Sequence, residues 1–324
     1  MGCFTLCEMD YLLTYQLGLD KPSGKAANLG NVCHKVVEIF ANEKLCLQNN
    51  QTTFLEKEKG KIFTVGQISV EDALDYGWNC YLLPSFTNSD KITCRKMIDD
   101  FMGGPYNPHK NEVIMPELFF DLEIPGDWAT YDYVDPHTKE PFSGRLAIRG
   151  AMDLLYKPMP GVSLYCDLKT GRKWDWAAGK PKDFNSLMHD HQMLLYYYAL
   201  RRLYPNDVVL MTIHYLRADG PTTLPYGDEQ YEEAYRLLKS MFLKIKASGP
   251  KHRVMEDPVK ARSICKSFCH YGKSYQPGTD KTICDYMWGQ LQELGTEKLT
   301  EKFGKPNLSK IYSAGGGQSQ RNIG

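Results

Sequence analysis

The chain has no apolar run approaching the roughly 20 residues that a bilayer-spanning helix needs, and its N-terminus lacks a basic stretch leading into an apolar one. These absences set the expectation of a cytoplasmic protein without a membrane segment. Net charge is missing too. The 39 Lys and Arg balance 39 Asp and Glu, so a polyanionic partner would have to be met by a local basic surface rather than a global field. No Gly-x-x-x-x-Gly-Lys-Ser/Thr loop exists. The nearest stretch, Pro22-Ser23-Gly24-Lys25-Ala26, has neither the spacing nor the hydroxyl, which argues against a nucleotide-driven motor. His189 and His191 have no Glu placed as a helical zinc-hydrolase signature demands, and they read as polar residues at a helix start. The Met-Gly-Cys opening departs from the N-acylation pattern at Leu6.

What is present is an ordinary globular composition, 42% hydrophobic and 24% charged, over a length that can bury a large core. Ten cysteines in a chain with no export signal point to metal ligation or burial rather than disulfides. Ser23 to Lys44 reads as a helix, with Ser23 as its cap and Val32, Val36 and Phe40 along one face. Residues 51–140 read as irregular, with a short apolar run from Leu118 to Leu122. Beyond them come strands over Ile148–Tyr156 and Val162–Lys169, joined by the turn Pro158-Met159-Pro160-Gly161. A helix over about 186–204, a strand over 208–216 and a helix over 229–247 follow. The fold expected is α/β (α+β), a mixed central sheet flanked by helices.

Taking Pro160 as the midpoint of the turn, Asp153 and Asp167 lie at equal distances on either side, so their Cβ atoms face each other about 5 Å apart. Strand alternation sends Asp167 and Lys169 to the same side. Opposed carboxylates repel unless a cation accepts oxygens from both, and Mg2+ or Mn2+ suits such a hard-oxygen site. A divalent ion there would polarise a phosphate and lower the pKa of an attacking water. An exposed ladder, with Asp153 paired to Lys169 or a neighbouring Arg, fits the same residues.

Further motifs separate these readings. Gly150-Ala151-Met152-Asp153 and Cys166-Asp167-Leu168-Lys169-Thr170-Gly171 resemble the G-x-x-D and D-x-K-T-G signatures of RecB-like nucleases of the PD-(D/E)xK superfamily. Gly30-Asn31-Val32-Cys33-His34 with Glu38 resembles that family's G-x-x-x-H-x-x-x-E helix, and Gln192 with Tyr196 its Q-x-x-x-Y helix. The resemblance implies a restriction-endonuclease-like core and a Mg2+- or Mn2+-dependent deoxyribonuclease. Its metal ligands would be His34, Asp153, Asp167 and the Leu168 carbonyl, with Glu38, Lys169 and Gln192 joining the two aspartates in catalysis. Gln192 and Tyr196, with Arg172 and Lys173 after the motif, are the expected DNA contacts. The match departs from the pattern at Leu154, where many relatives have Arg.

Cys265 and Cys269 have three residues between them, and Cys284 follows after fourteen more, a loop-like ligand spacing. In nucleases resembling the AddB and Cas4 proteins, three such cysteines and one near the N-terminus, here Cys7, hold an iron–sulfur cluster. A 4Fe-4S cluster is therefore implied, with structural zinc as the alternative, Cys3 standing in for Cys7 and His270 as a substitute ligand. Cys33, Cys46, Cys80, Cys94 and Cys166 read as small core residues. The expected organisation is one nuclease domain over residues 1–305, closed by the cysteine cluster, and a flexible tail over 306–324. The implied activity is that of an exonuclease on DNA ends, single-stranded ones included, in recombination, repair or phage replication, with protein partners from those processes. A Cas4-like role in spacer processing and a non-catalytic DNA-binding module of the same fold remain as alternatives.

Overall fold

A computed structural model of the chain describes residues 7–175, 179–217, 220–247 and 258–305. Cys3 and the expected tail fall outside these. In chain order the principal elements are α1 (Lys25–Gln48), β1 (Thr53–Glu56), β2 (Lys61–Thr64), α2 (Val70–Tyr81), α3 (Asn88–Gly103) and β3 (Val113–Glu123). Next come β4 (Thr130–Val134), β5 (Pro141–Arg145), β6 (Ala147–Met159), β7 (Val162–Lys169), α4 (His191–Leu203), β8 (Val208–Tyr215) and β9 (Gly220–Leu224). The helices α5 (Asp228–Ala247), α6 (Pro258–Ser267) and α7 (Ile283–Phe303) complete the set.

Two compact units divide the chain: Ser23–Leu122 with Ile148–Leu237, and Met1–Pro22 with Glu123–Ala147 and Leu238–Gly324. The first holds a five-stranded mixed sheet in the order β9-β8-β7-β6-β3. β7 runs antiparallel to β6 and parallel to β8, which is reached through α4. As a central strand, β7 is buried on both faces, and its alternation sorts the side chains. Cys166 and Leu168 join Leu154 and Tyr156 in a core with Val32, Val36, Phe40, Leu74 and Phe101 of α1, α2 and α3, while Tyr165 meets Tyr196 of α4 on the other face. Helices therefore cover both faces, as both faces of a largely buried sheet require. α1 and α2 approach closely because Gly77 lacks a side chain: a Cβ there would lie 3.1 Å from the Val32 carbonyl oxygen.

In the second unit, Met9, Leu12, Leu13 and Leu17 pack with Tyr271, Cys284, Met287, Leu291 and Leu299. The Tyr271 hydroxyl donates to the Leu19 carbonyl at 2.8 Å and the Lys305 N–H to Leu17 at 3.0 Å, tying the early and late segments of this unit together. The β4–β5 ribbon adds an aromatic group, Tyr131, Tyr133 and Phe142, against Phe242 of α5.

Three sequence expectations need correction. Ser23 does not cap α1; Gly24 occupies the N-cap and no side chain caps the helix. Residues 51–140 are not irregular but contain the β1–β2 hairpin, α2, α3 and the 11-residue β3. α2 and α3 start at capping boxes, Ser69 with Asp72 and Thr87 with Asp90, in which each N-cap hydroxyl and the third-residue carboxylate satisfy one another's backbone N–H groups. The helix expected over 186–204 is broken into Phe184–Met188 and α4, because Asp190 accepts from the Gln192 and Met193 N–H groups and so caps a new helix.

Candidate active site

The β6–β7 hairpin has the register that symmetry about Pro160 demands. Leu154 pairs with Cys166 and Leu155 with Tyr165, and Asp153 and Asp167 are the next residue on each strand beyond the last of these pairs. An irregularity between Tyr156 and Met159 absorbs the extra residue near the turn. Asp153 Oδ2 accepts from the Leu168 N–H at 2.8 Å, and its Oδ1 lies 2.9 Å from His34 Nδ1. Asp167 is fully buried. Its Oδ1 accepts from the Tyr165 hydroxyl at 2.9 Å, whereas Oδ2 touches Lys169 Nζ at 2.7 Å as an ion pair but accepts no hydrogen bond of good angle.

These contacts set the charge states. Burial pushes the Asp167 carboxyl up, and the Asp153 charge adds to it against the pull of Lys169. Burial also works against ionising Asp153, but the His34 charge and hydrogen bond and the Leu168 N–H outweigh it and hold that carboxyl low. For His34 the order is reversed: desolvation disfavours its cation, yet Asp153 and Asp167 raise its pKa. Lys169 is raised in the same way. His34 and Lys169 thus offset the two close carboxylates.

Two glycines make this convergence possible. A Cβ on Gly30 would stand 3.0 Å from Thr170 Oγ1, so α1 passes close to the end of β7 one helical turn before His34, and a side chain there would require Thr170 to shift. A Cβ on Gly150 would stand 2.8 Å from the Phe120 ring and 3.1 Å from that of Tyr196. Tyr196, wedged edge-on between Phe120 and Tyr165, donates to the Ala151 carbonyl at 2.8 Å. It accepts from Gln192 Nε2 at 3.1 Å, and Gln192 Oε1 accepts from Lys169 Nζ at 2.9 Å. Gln192 and Tyr196, expected as DNA contacts, thus form a hydrogen-bonded chain from the Ala151 carbonyl to Lys169.

Glu38 pairs with Lys35. Its carboxylate lies 2.5 Å from Lys35 Nζ, which also reaches Glu56 at 3.2 Å and Glu58 at 3.4 Å. Burial pushes the Glu38 carboxyl up to about 7, with Glu117 contributing as a neighbouring negative charge against the pull of Lys35. Glu117 adopts φ +48° within β3. Sequence reasoning missed Lys35, Glu117, Tyr165 and Thr170. Tyr165 was legible, since strand alternation puts it on the side of Asp167, but Glu117 lay in the stretch read as irregular. Arg172 and Lys173 follow β7 beside the site, the former exposed.

The donor set is carboxylate oxygen, imidazole nitrogen and a buried oxygen without a hydrogen bond, a combination that suits a divalent cation. Among the described residues no three His, Cys, Asp or Glu side chains already close into a metal cage. The cysteines belong to the second unit. Cys7, Cys269 and Cys284 share its core, and backbone N–H groups of Gly272 and Tyr271 point to the Cys269 sulfur, which burial otherwise raises. Cys265 borders a cavity of about 360 Å³ with Lys266, Gly272, Lys273, Tyr275, Thr282 and Asp285. Of the remaining cysteines, Cys33, Cys46, Cys94 and Cys166 are buried and Cys80 half-buried, as core packing implies.

A mixed sheet thus carries an aspartate pair with a lysine two residues beyond the second aspartate, an Asp-x-Lys arrangement. The model of the PD-(D/E)XK nuclease superfamily matches residues 2–273, and the chain belongs to that superfamily. No curated protein matches the chain. Among solved structures, a protein from Eubacterium rectale provisionally named an exonuclease is similar at 12% identity, with 77% of this chain and 79% of that chain covered and a TM-score of 0.41. No described helix is long and apolar enough to cross a membrane.

Proposed function

We propose that this nuclease is a Mg2+- or Mn2+-dependent deoxyribonuclease acting as an exonuclease on DNA ends, in recombination, repair or phage replication. The observation that carries the reading is the convergence of Asp153, Asp167, Lys169 and His34, with Asp167 fully buried and one of its oxygens free of hydrogen bonds. Asp153, Asp167, His34 and the Leu168 carbonyl would hold the cation, which supplies phosphate polarisation and an acidified water when bound.

The chain's own residues do the rest. Lys169, aimed by Gln192 and Tyr196, keeps its proton and stabilises charge building on the phosphate. Tyr165 holds the Asp167 carboxylate in place by donating to Oδ1. Glu38, poised near neutrality, acts as a proton acceptor or donor at the edge of the site. Arg172 and Lys173 meet the DNA backbone.

The cysteines Cys7, Cys265, Cys269 and Cys284 are proposed as the ligands of a 4Fe-4S cluster that stabilises the second unit, or of a zinc ion in its place. Their shared unit and the N–H groups directed at Cys269 support this. Anaerobically purified protein should show broad visible absorbance and bound iron. Colourless protein with stoichiometric zinc would make the site a zinc site.

Incubation of end-labelled linear DNA with either metal tests the main reading. Release of short products from the ends supports it, while cutting of closed circles would make the protein an endonuclease.

A further inference from the structure

Lys169 depends on a helix start that is itself held from outside. Its Nζ donates to Gln192 Oε1 at 2.9 Å, and Gln192 is the second residue of α4. The first turn of α4 is fixed by Asp190, whose Oδ1 accepts from the Gln192 N–H at 3.0 Å and from the Met193 N–H at 3.4 Å. A capping side chain needs only one oxygen for this task. The other oxygen of Asp190 accepts from Lys182 Nζ at 2.9 Å.

Lys182 comes from the chain that leaves β7. Its N–H donates to the Lys173 carbonyl at 3.2 Å, closing a short ribbon in which Trp174 pairs with Pro181 and Asp175 with Lys180. Lys173 in turn follows closely on Lys169. The contacts therefore make a closed ring that runs from Lys169 to Gln192, Asp190 and Lys182 and returns to the end of β7.

Both members of the Lys182–Asp190 pair keep their charges. Their side chains are only 29% and 22% exposed, so water screens them in part. Desolvation works against each ion, yet the Lys182 bond and charge hold the Asp190 carboxyl low, and the Asp190 bond and charge raise the Lys182 ammonium. Against desolvation, Asp190 also joins Asp167 and Asp153 in raising the Lys169 ammonium.

We propose that Lys182 and Asp190 are positioning residues for cleavage: Lys182 fixes the second oxygen of the Asp190 cap, which sets the first turn of α4 and with it the Gln192 amide that aims Lys169. Neither residue touches the phosphate. The pair also ties the segment bearing Arg172 and Lys173, the proposed backbone contacts, to the lysine that acts on the phosphate. The inference rests on the nuclease reading and deepens it by naming what holds the cleavage lysine in place.

The test is steady-state cleavage of end-labelled linear DNA by the full chain, with Tm by calorimetry. Lys182→Met keeps the apolar stem, and Asp190→Asn keeps one capping oxygen but loses the second acceptor. In each, kcat falls about tenfold with KM unchanged, because displacing a reacting group by less than about 1 Å costs rate on this order. Lys182→Arg restores most of kcat. In a Gln192→Ala background, Lys182→Met lowers kcat no further, since the route runs through that amide. Wild-type kcat in both single variants overturns the proposal, as does an equal further loss in the Gln192→Ala background. A raised KM with kcat unchanged would overturn it too, by giving Lys182 to the DNA backbone. A loss of kcat that tracks a lowered Tm and vanishes on cooling would reduce the pair to a structural clasp. Wild-type protein inert on DNA would instead refute the nuclease reading, and this role with it.

Discussion

Adding one methyl group at Gly150 should damage stability and activity together, by a route that can be traced atom by atom. The new Cβ would fall 2.8 Å from both Cε1 and Cζ of Phe120 and 3.1 Å from Cε1 of Tyr196. Phe120 is only 8% exposed, and its ring packs edge-on against that of Tyr196, so neither ring has open space to enter. Overpacking of this kind costs about 1–3 kcal/mol, which for a unit of this size lowers Tm by about 2–4 °C per kcal/mol. Any shift of Tyr196 is passed through Gln192 to Lys169, and a displacement approaching 1 Å at a reacting group costs about a hundredfold in rate. Gly150→Ala should therefore melt earlier by calorimetry and cleave slowly. Trimming the obstructing ring in Gly150→Ala/Phe120→Leu should recover part of both losses. If Gly150→Ala matches the wild type in Tm and rate, or if the second substitution restores nothing, the packing argument is wrong.

Other expectations follow from the same geometry. Asp167→Asn or Lys169→Gln should lower cleavage at least about a hundredfold, the scale for removing a group that stabilises developing charge, while circular dichroism stays native; cleavage near the wild-type rate in either variant would remove that residue from the chemistry. Lys35→Met leaves Glu38, Glu56 and Glu58 facing one another without their shared cation, and breaking so buried a pair should cost about 3–5 kcal/mol in denaturant unfolding. Because the folded Glu38 carboxyl lies near 7, above its ordinary value of 4.5, the folded state binds the extra proton between them. Its contribution to stability thus declines as pH rises from about 4.5 to about 7, and Glu38→Gln should flatten that part of the stability profile. Binding of a divalent ion requires neutral His34, whose pKa is raised, so Mn2+ affinity by calorimetric titration should weaken as pH falls through that raised value; affinity independent of pH would take His34 out of the ligand set.

The carboxylate hairpin was legible in the sequence because strand periodicity and a Pro-Gly turn fix register without reference to the rest of the chain. Leu154 opposite Cys166 follows directly from the turn position. Gly30 and Gly150 were recognisable as motif positions, but their reason, the approach of Thr170 and of the Phe120 ring, exists only in the folded protein. Gln192 and Tyr196 stood one helical turn apart in the sequence, yet nothing local showed that Lys169 consumes the amide oxygen and Ala151 the hydroxyl. Residues 51–140 were misread since the apolar spacing of α2 and α3 is interrupted by polar and small residues. The Ser69–Asp72 and Thr87–Asp90 boxes were the better signal. The buried Lys35 with its carboxylates was invisible, because an isolated Lys-x-x-Glu is the commonest surface pattern of a helix.

The most direct test of the account is digestion of end-labelled linear DNA and a closed circle by wild-type protein and by Asp167→Asn, in Mg2+, Mn2+ or EDTA. Loss of linear DNA alone, present with either metal and absent both in EDTA and in the variant, is the predicted result. Wild-type protein that leaves linear DNA intact with both metals would contradict it.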